Sequence, residues 1–506
     1  MLLTALTSSL FSLLAADPVT VTQGDLVGQA ANDQGVTAYL GIPYAAAPLD
    51  DLRFAPPQPA PAWEGTRDAT SFGDRCMQQP LYGDMIFRSD AVSEDCLYLN
   101  VWTPEGAATD AALPILFYIH GGGFVTGSGD EPRYDGAALA SQGVVVVTVN
   151  YRLGAFGFMA HPDLDGGNAA LFDLAMALDW VRQNAKAFGG DPARITIGGE
   201  SAGSFAVSAL LASPVTQDHV AGALAQSGSI AGMTPPALEA AQADGAALGA
   251  AMEAPDLAAL RSLPADAVLE TAAKMRFWPS MDGTFLTSNP RDAFETGEVA
   301  NVPVMVGVTS AEMSSGAMLQ GGPATVDNFT TQLKNRFGDK ADSVYAAYGS
   351  PMTDAEVLRA ARDLASDSFI GAGTMRMAAA MSETGRPVYA YLFDQARPAP
   401  KEGTGGWTSP EGAGHSTDIE YFLGTQELAE DVYDWTAADK DLSGLMQAYV
   451  VNFLNTGDPN GGKLPAWPDM SEGQRLVLKP SPTTEPVEPV LNRIDAVAAA
   501  SPAAGN

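Results

Sequence analysis

Two apolar runs, residues 113–119 and 144–149, are almost free of polar interruptions. That pattern predicts strands of a parallel sheet covered on both faces. Shorter runs at 221–225, 302–308 and 388–393, and the β-branched segment entering Ile195, have the same character. Between them the period changes. Residues 169–188 place Leu171, Leu174, Ala175, Leu178, Val181 and Ala185 on one stripe, the signature of an amphipathic helix facing a sheet. Residues 202–212 are small and apolar enough to form another helix, and 441–455 turn Leu442, Leu445, Met446, Tyr449, Val450 and Phe453 to one side. Strands alternating with helices predict an α/β fold with a mostly parallel central sheet flanked by helices. The alanine-rich stretches 237–252 and 257–275 then read as helical insertions, placed to form a cap whose walls enclose a substrate gorge.

The ends are patterned differently. Residues 19–36 alternate apolar and polar positions around glycines, predicting an edge hairpin. The following Tyr39-Leu-Gly-Ile-Pro-Tyr44, Leu52-Arg-Phe54 and Pro56-Pro57 carry prolines that predict irregular chain wrapped over the core. Residues after Val490 are expected to fray.

Composition narrows the function. The 506 residues carry 60 acidic and 27 basic side chains, a formal net charge of -33, and 46% of them are hydrophobic. Such a chain can bury a large core, while its surface repels phosphate backbones and anionic membranes. Neither nucleic acid nor a membrane is an expected partner, and a monomer is favoured. Residues 1–16 hold a small and apolar run that stops at Asp17-Pro18, suiting a secretory signal ahead of a single domain over 17–506. Secretion or a periplasmic location follows from it. Cys76 and Cys96 are the two cysteines; they form one bridge in an oxidising compartment, or remain two reduced buried thiols.

Chemistry enters at Ile195-Thr-Ile-Gly-Gly-Glu-Ser-Ala-Gly-Ser204, an apolar segment running into a helix through Gly-x-Ser-x-Gly. Glycines at Gly199 and Gly203 permit the sharp turn that lifts the Ser201 hydroxyl clear of a sheet edge, so Ser201 is the candidate nucleophile. This block does not stand alone. Together with Gly41-Ile-Pro-Tyr44, Glu94-Asp-Cys-Leu-Tyr-Leu-Asn-Val-Trp102, Asn150-Tyr-Arg-Leu-Gly154, Phe188-Gly-Gly-Asp-Pro192, Gln226-Ser-Gly-Ser229 and Thr456-Gly-Asp-Pro-Asn460, it resembles the type-B carboxylesterases. That group includes cholinesterases and bacterial para-nitrobenzyl esterases, and the resemblance covers nearly the whole chain. It implies an α/β-hydrolase fold. It also implies that Glu94 is structural, held by Arg53 and by Arg152.

A serine hydroxyl needs a base, and the base needs a carboxylate to orient it. Of the four histidines, His120 adjoins the glycines of His120-Gly-Gly-Gly-Phe124 and shapes that loop, His161 sits in a turn, and His219 precedes a strand without a motif. His415 remains, on the glycine-bearing loop 412–424. The resemblance implies that the acid is Glu312 in Gly307-Val-Thr-Ser-Ala-Glu-Met313, although alanine and methionine replace its usual neighbours; Asp418 is the second choice. Ser416 and Leu174 stand where the family usually has glycine and glutamine. The order Ser201, Glu312, His415 is that of α/β-hydrolases. The resemblance further implies an oxyanion hole made by the N–H groups of Gly122, Gly123 and Ala202.

The expected activity is hydrolysis of small-molecule carboxylic esters through an acyl-enzyme, with no cofactor and no metal. The Asp163-Leu-Asp-Gly166 turn lacks the further ligands of a calcium loop. An amidase or carbamate hydrolase would use the same groups, and a binding protein on the same fold would have lost some of them. The loop from Met77 to Asp95 holds Tyr82 and Phe87 but no tryptophan, which lessens the likeness to the choline-binding members of the family, whose cation site uses an aromatic face there.

Overall fold

A computed structural model describes residues 16–164, 166–404 and 406–501. The expected signal segment therefore lies, up to residue 15, outside the described residues. A ten-stranded sheet forms the centre. Its strands in chain order are β1 (Val36–Pro43), β2 (Tyr98–Pro104), β3 (Leu113–Ile119), β4 (Val145–Val149), β5 (Gly190–Glu200), β6 (Gly222–Gln226), β7 (Val304–Thr309), β8 (Val388–Phe393), β9 (Gln474–Leu478) and β10 (Thr483–Pro486). In space they run β10-β9-β8-β7-β6-β5-β3-β4-β2-β1. Pairing is parallel from β4 through β9 and antiparallel at both margins.

The period of two along each strand divides the core. Ile115, Phe117 and Ile119 of β3 join one buried cluster and Leu116 and Tyr118 the other; Val145, Val147 and Val149 oppose Val146 in the same way. Helices close both faces. On the first lie α1 (Ala169–Asn184), with Leu171, Leu174, Leu178 and Val181 turned inward, and α2 (Ala202–Ala212). On the second lies α6 (Ala437–Thr456), burying Leu442, Met446, Tyr449 and Phe453. It begins before the apolar stripe because Thr436 and Asp439 make a capping box that satisfies the first free N–H groups.

Three expectations change. The segment around Gly41-Ile-Pro-Tyr44 is regular: β1 is the outermost strand, where Pro43 at its end removes no needed donor. Its pairing with β2 slips between Tyr39 and Ile42, and Gly41 there has φ +63° and donates its N–H to Asn100 Oδ1 at 3.0 Å. The hairpin expected before it does form, Val19–Val21 against Gly24–Val27, but in a separate three-stranded sheet with Thr66–Asp68. The C-terminal region does not fray at Val490, since α7 (Glu488–Ala500) buries Val490 and Ile494.

The insertions also serve a different purpose. Helices α3 (Leu238–Ala251), α4 (Leu257–Arg261) and α5 (Ala265–Ala272) extend the first core cluster through Leu248, Leu257, Leu260 and Val268. They add no side chain to the cavity described below.

Candidate active site

The loops at the carboxyl ends of β3, β5, β7 and β8 converge on one place, as ligand sites of open α/β sheets do. Ser201 occupies the turn between β5 and α2 with φ +54° and ψ −122°, a strained conformation for a residue bearing a side chain. The turn is held by the Ser201 N–H, which donates to Gln226 O at 2.9 Å. Glycine is required on either side. A Cβ on Gly203 would lie 2.1 Å from Ile119 O, and one on Gly199 would lie 2.7 Å from the Gly203 carbonyl carbon. The helix can therefore approach β3 only where it has no side chain.

His415 reaches the serine from the loop after β8. Its Nε2 is 3.0 Å from Ser201 Oγ, and its Nδ1 is 2.6 Å from Glu312 Oε2. Glu312 is buried three residues beyond the end of β7, and its other oxygen accepts from the Thr309 N–H and the Ser227 hydroxyl, both at 2.6 Å. Those two donors hold the carboxylate so that one oxygen is left for the imidazole. Ser416 follows the histidine at φ +66°, the left-handed conformation that glycine adopts freely.

Upstream, His120-Gly-Gly-Gly-Phe124 forms the other wall. Gly122 has φ +105° and Gly123 φ +63°, and a Cβ on Gly122 would lie 2.0 Å from Thr126 O. Among the described residues the N–H groups of Gly122, Gly123 and Ala202 donate to no protein acceptor. They stay available to an external oxygen. His120 is buried beneath this loop, its ring 4.4 Å from that of Tyr151 and its Nδ1 2.8 Å from Gly121 O. Burial lowers its pKa to about 4, leaving a neutral ring that supports the loop.

Ser201, His415 and the two glycines line a cavity of about 740 Å³. Its remaining walls include Tyr82 and Met85 from the cysteine loop, Phe205, Trp278, Phe369 and Trp407. The cysteine loop is closed by a disulfide between Cys76 and Cys96.

Residues 15–495 match the family described as Carboxylesterase family. The chain belongs to the carboxylesterase family. It is 35% identical to the fumonisin B1 esterase of Sphingopyxis macrogoltabida over 89% of this chain and 87% of that protein. It is 33% identical to the medium-chain fatty acyl-CoA hydrolase precursor of Anas platyrhynchos, covering 88% and 85%, and 32% identical to the cocaine esterase of Homo sapiens, covering 90% and 86%. The protein is a carboxylic ester hydrolase on the α/β-hydrolase fold.

Within this carboxylesterase, the expected partners sort themselves. Arg53 holds Glu94 through Nε at 2.6 Å and Nη2 at 2.5 Å. Arg152 does not join that pair. It binds Asp173 through Nε at 2.8 Å and Nη2 at 2.6 Å, because α1 carries Asp173 directly beneath the arginine. Asp418 is buried away from His415 in hydrogen bonding: its Oδ2 accepts from Tyr391 Oη at 2.9 Å and Gln226 Nε2 at 3.2 Å. Burial raises its pKa to about 6.

Glu200, beside the serine in sequence, is an unspecified position of Gly-x-Ser-x-Gly. Its Oε1 lies 3.3 Å from His415 Nε2, and burial pushes its pKa up to about 8. Burial opposes protonation of His415, but Glu200, Glu312 and Asp418 outweigh it and raise the imidazole to about 9. Ser227, which orients Glu312, lies in the Gln226-Ser-Gly-Ser229 block shared with the family. Phe369 and Trp407 carry no motif, and only the folded chain brings them to the cavity.

Proposed function

We propose that this carboxylesterase is a serine hydrolase acting through an acyl-enzyme, with Ser201 as nucleophile, His415 as general base and acid, and Glu312 as the carboxylate that orients the histidine. The continuous hydrogen-bonded chain from Ser201 Oγ through both imidazole nitrogens to Glu312 carries this reading. His415 Nε2 takes the serine proton as Oγ attacks the ester carbonyl, then gives it to the departing alcohol oxygen. Glu312 accepts the Nδ1–H, which fixes the reactive tautomer and balances the imidazolium. The carbonyl oxygen, now negative, accepts from the N–H groups of Gly122, Gly123 and Ala202; each such donor contributes about 3 to 4 kcal/mol to stabilising the transition state. Water, activated by the same histidine, then releases the acid.

The leader-like residues 1–16 and the disulfide support a secreted or periplasmic enzyme with one catalytic domain over 17–506. The names of its relatives point to different substrates, an acyl-CoA thioester among them, so the likeness carries hydrolysis at an acyl carbon further than substrate identity. Ser201→Ala is the decisive variant. Turnover of a simple ester is expected to fall on the order of a million-fold, and a slowly deacylating ester is expected to add its acyl mass to the wild-type Ser201 peptide alone. Retained turnover, or an acyl group on another residue, would refute the assignment.

A further inference from the structure

Exposed large apolar side chains gather around the cavity mouth. Leu81, Tyr82, Phe369 and Trp407 all line it, and Phe369 is 46% and Trp407 51% exposed. Water gains nothing from such rings, and an apolar patch opening into a site marks where a ligand is covered. The two aromatic rings are not stray surface groups. Each is held against the segment carrying His415, Phe369 at the imidazole itself and Trp407 at the residue before it.

Phe369 stands edge-on to the imidazole, with ring centroids 5.3 Å apart at 76°. It projects from a π-turn, Asp367–Gly371, which offsets the helical register between Asp354–Ser366 and Ala372–Glu383. The turn is anchored from behind: buried Asp367 accepts from Arg493 Nε of α7 at 2.6 Å and from Tyr348 Oη at 2.7 Å. Trp407 lies against Gly414, the residue before the histidine, where a Cβ would come 2.6 Å from the indole. Its backbone is fixed at both ends by Tyr433 Oη, 3.0 Å from the Trp407 N–H and 3.0 Å from its carbonyl.

The chemistry decides which part of an ester meets these rings. His415 Nε2 must hand its proton to the leaving alcohol oxygen, so the alcohol begins beside the imidazole, while the carbonyl oxygen turns toward Gly122 and Gly123. The bond broken joins the acyl carbon to that alcohol oxygen; the bond formed joins the acyl carbon to Ser201 Oγ, and one proton passes from serine to alcohol through Nε2. We propose that Phe369 and Trp407 form the binding site for the alcohol half of the ester, and that the enzyme selects esters whose alcohol carries a bulky aromatic or aliphatic group. This proposal rests on the catalytic reading above.

The experiment uses two ester series on the full-length enzyme, one of butyrates with methyl, butyl, benzyl and naphthylmethyl alcohols, and one of ethyl esters with acyl chains of increasing length. Rates are normalised to active sites titrated by acylation, so that a misfolded fraction does not count. For wild type, kcat/KM is expected to rise along the alcohol series. In Phe369→Ala and in Trp407→Ala the ratio of kcat/KM for naphthylmethyl over methyl butyrate is expected to fall roughly tenfold, the effect of uncovering a ring-sized apolar contact. Phe369→Leu and Trp407→Phe are expected to recover part of it. An unchanged ratio overturns the proposal, as does a change that follows acyl length instead. Failure of the catalytic reading would show separately, as activity retained by Ser201→Ala.

Discussion

In the proposed mechanism His415 accepts a proton from Ser201 only while Nε2 keeps its lone pair, and three nearby carboxyl groups favour the imidazolium. The raised value of about 9 means that activity is lost as pH falls, along a limb displaced above the ordinary histidine range. Glu200 is the largest of the raising influences. Glu200→Gln is therefore expected to move the ascending limb of the kcat/KM profile to lower pH; a limb that stays in place would contradict this. In the proposed mechanism Glu312 acts by charge and orientation together. Glu312→Gln preserves the shape but offers Nδ1–H a weaker acceptor and allows the wrong tautomer, with an expected loss of about 10⁴-fold in kcat. Asp418→Asn, whose carboxylate serves Tyr391 and Gln226, is expected to lose far less in the same assay.

At the scale of elements, precision at the serine comes from close approach. Gly199 and Gly203 let β5, β3 and α2 meet without intervening side chains, and the strain at Ser201 is held by the packing around it. The distant helix α7 contributes in another way. Its Arg493 neutralises Asp367 at the foot of the π-turn, a largely buried pair. Arg493→Ala is expected to lower unfolding free energy by about 3 kcal/mol, because a buried carboxylate is left without its partner. Urea denaturation monitored at equilibrium measures this, and a change near zero would mean that water replaces the guanidinium.

For the whole molecule, a net charge of -33 makes self-repulsion a general opponent of the compact state. Salt at roughly 1 M shortens the screening length to about 3 Å, so the thermal midpoint is expected to rise with NaCl; a flat or falling midpoint would remove self-repulsion as a significant cost. The disulfide adds a constraint on the unfolded chain. With its ends 20 positions apart in sequence, its reduction is expected to cost about 3 kcal/mol, read as a lower denaturation midpoint in reductant.

Features that depend on neighbours along the chain are written in the amino-acid order. A strand buried on both faces must be apolar throughout, a sheet-facing helix must repeat near 3.6 residues, and a serine turned out of a sheet edge needs glycine beside it. The strands 113–119 and 388–393, the helix from Ala169 and the glycine-flanked turn at Ser201 are legible for those reasons, whereas His415 is a candidate by elimination among four histidines and Glu312 by the family resemblance. Features that depend on residues far apart in the chain are set only by how the elements dock. Arg152 had acids available in several segments, and only the docking of α1 made Asp173 its partner. Proline near Tyr44 suggested irregular chain until the edge position of β1 made its missing donor harmless. The apolar positions of α7 became a reason for order once there was a surface to receive them. The cavity walls belong to this second class as well: helices 238–272 joined the core, while Phe369 and Trp407 reached His415 through a π-turn and a loop whose course is fixed by distant partners.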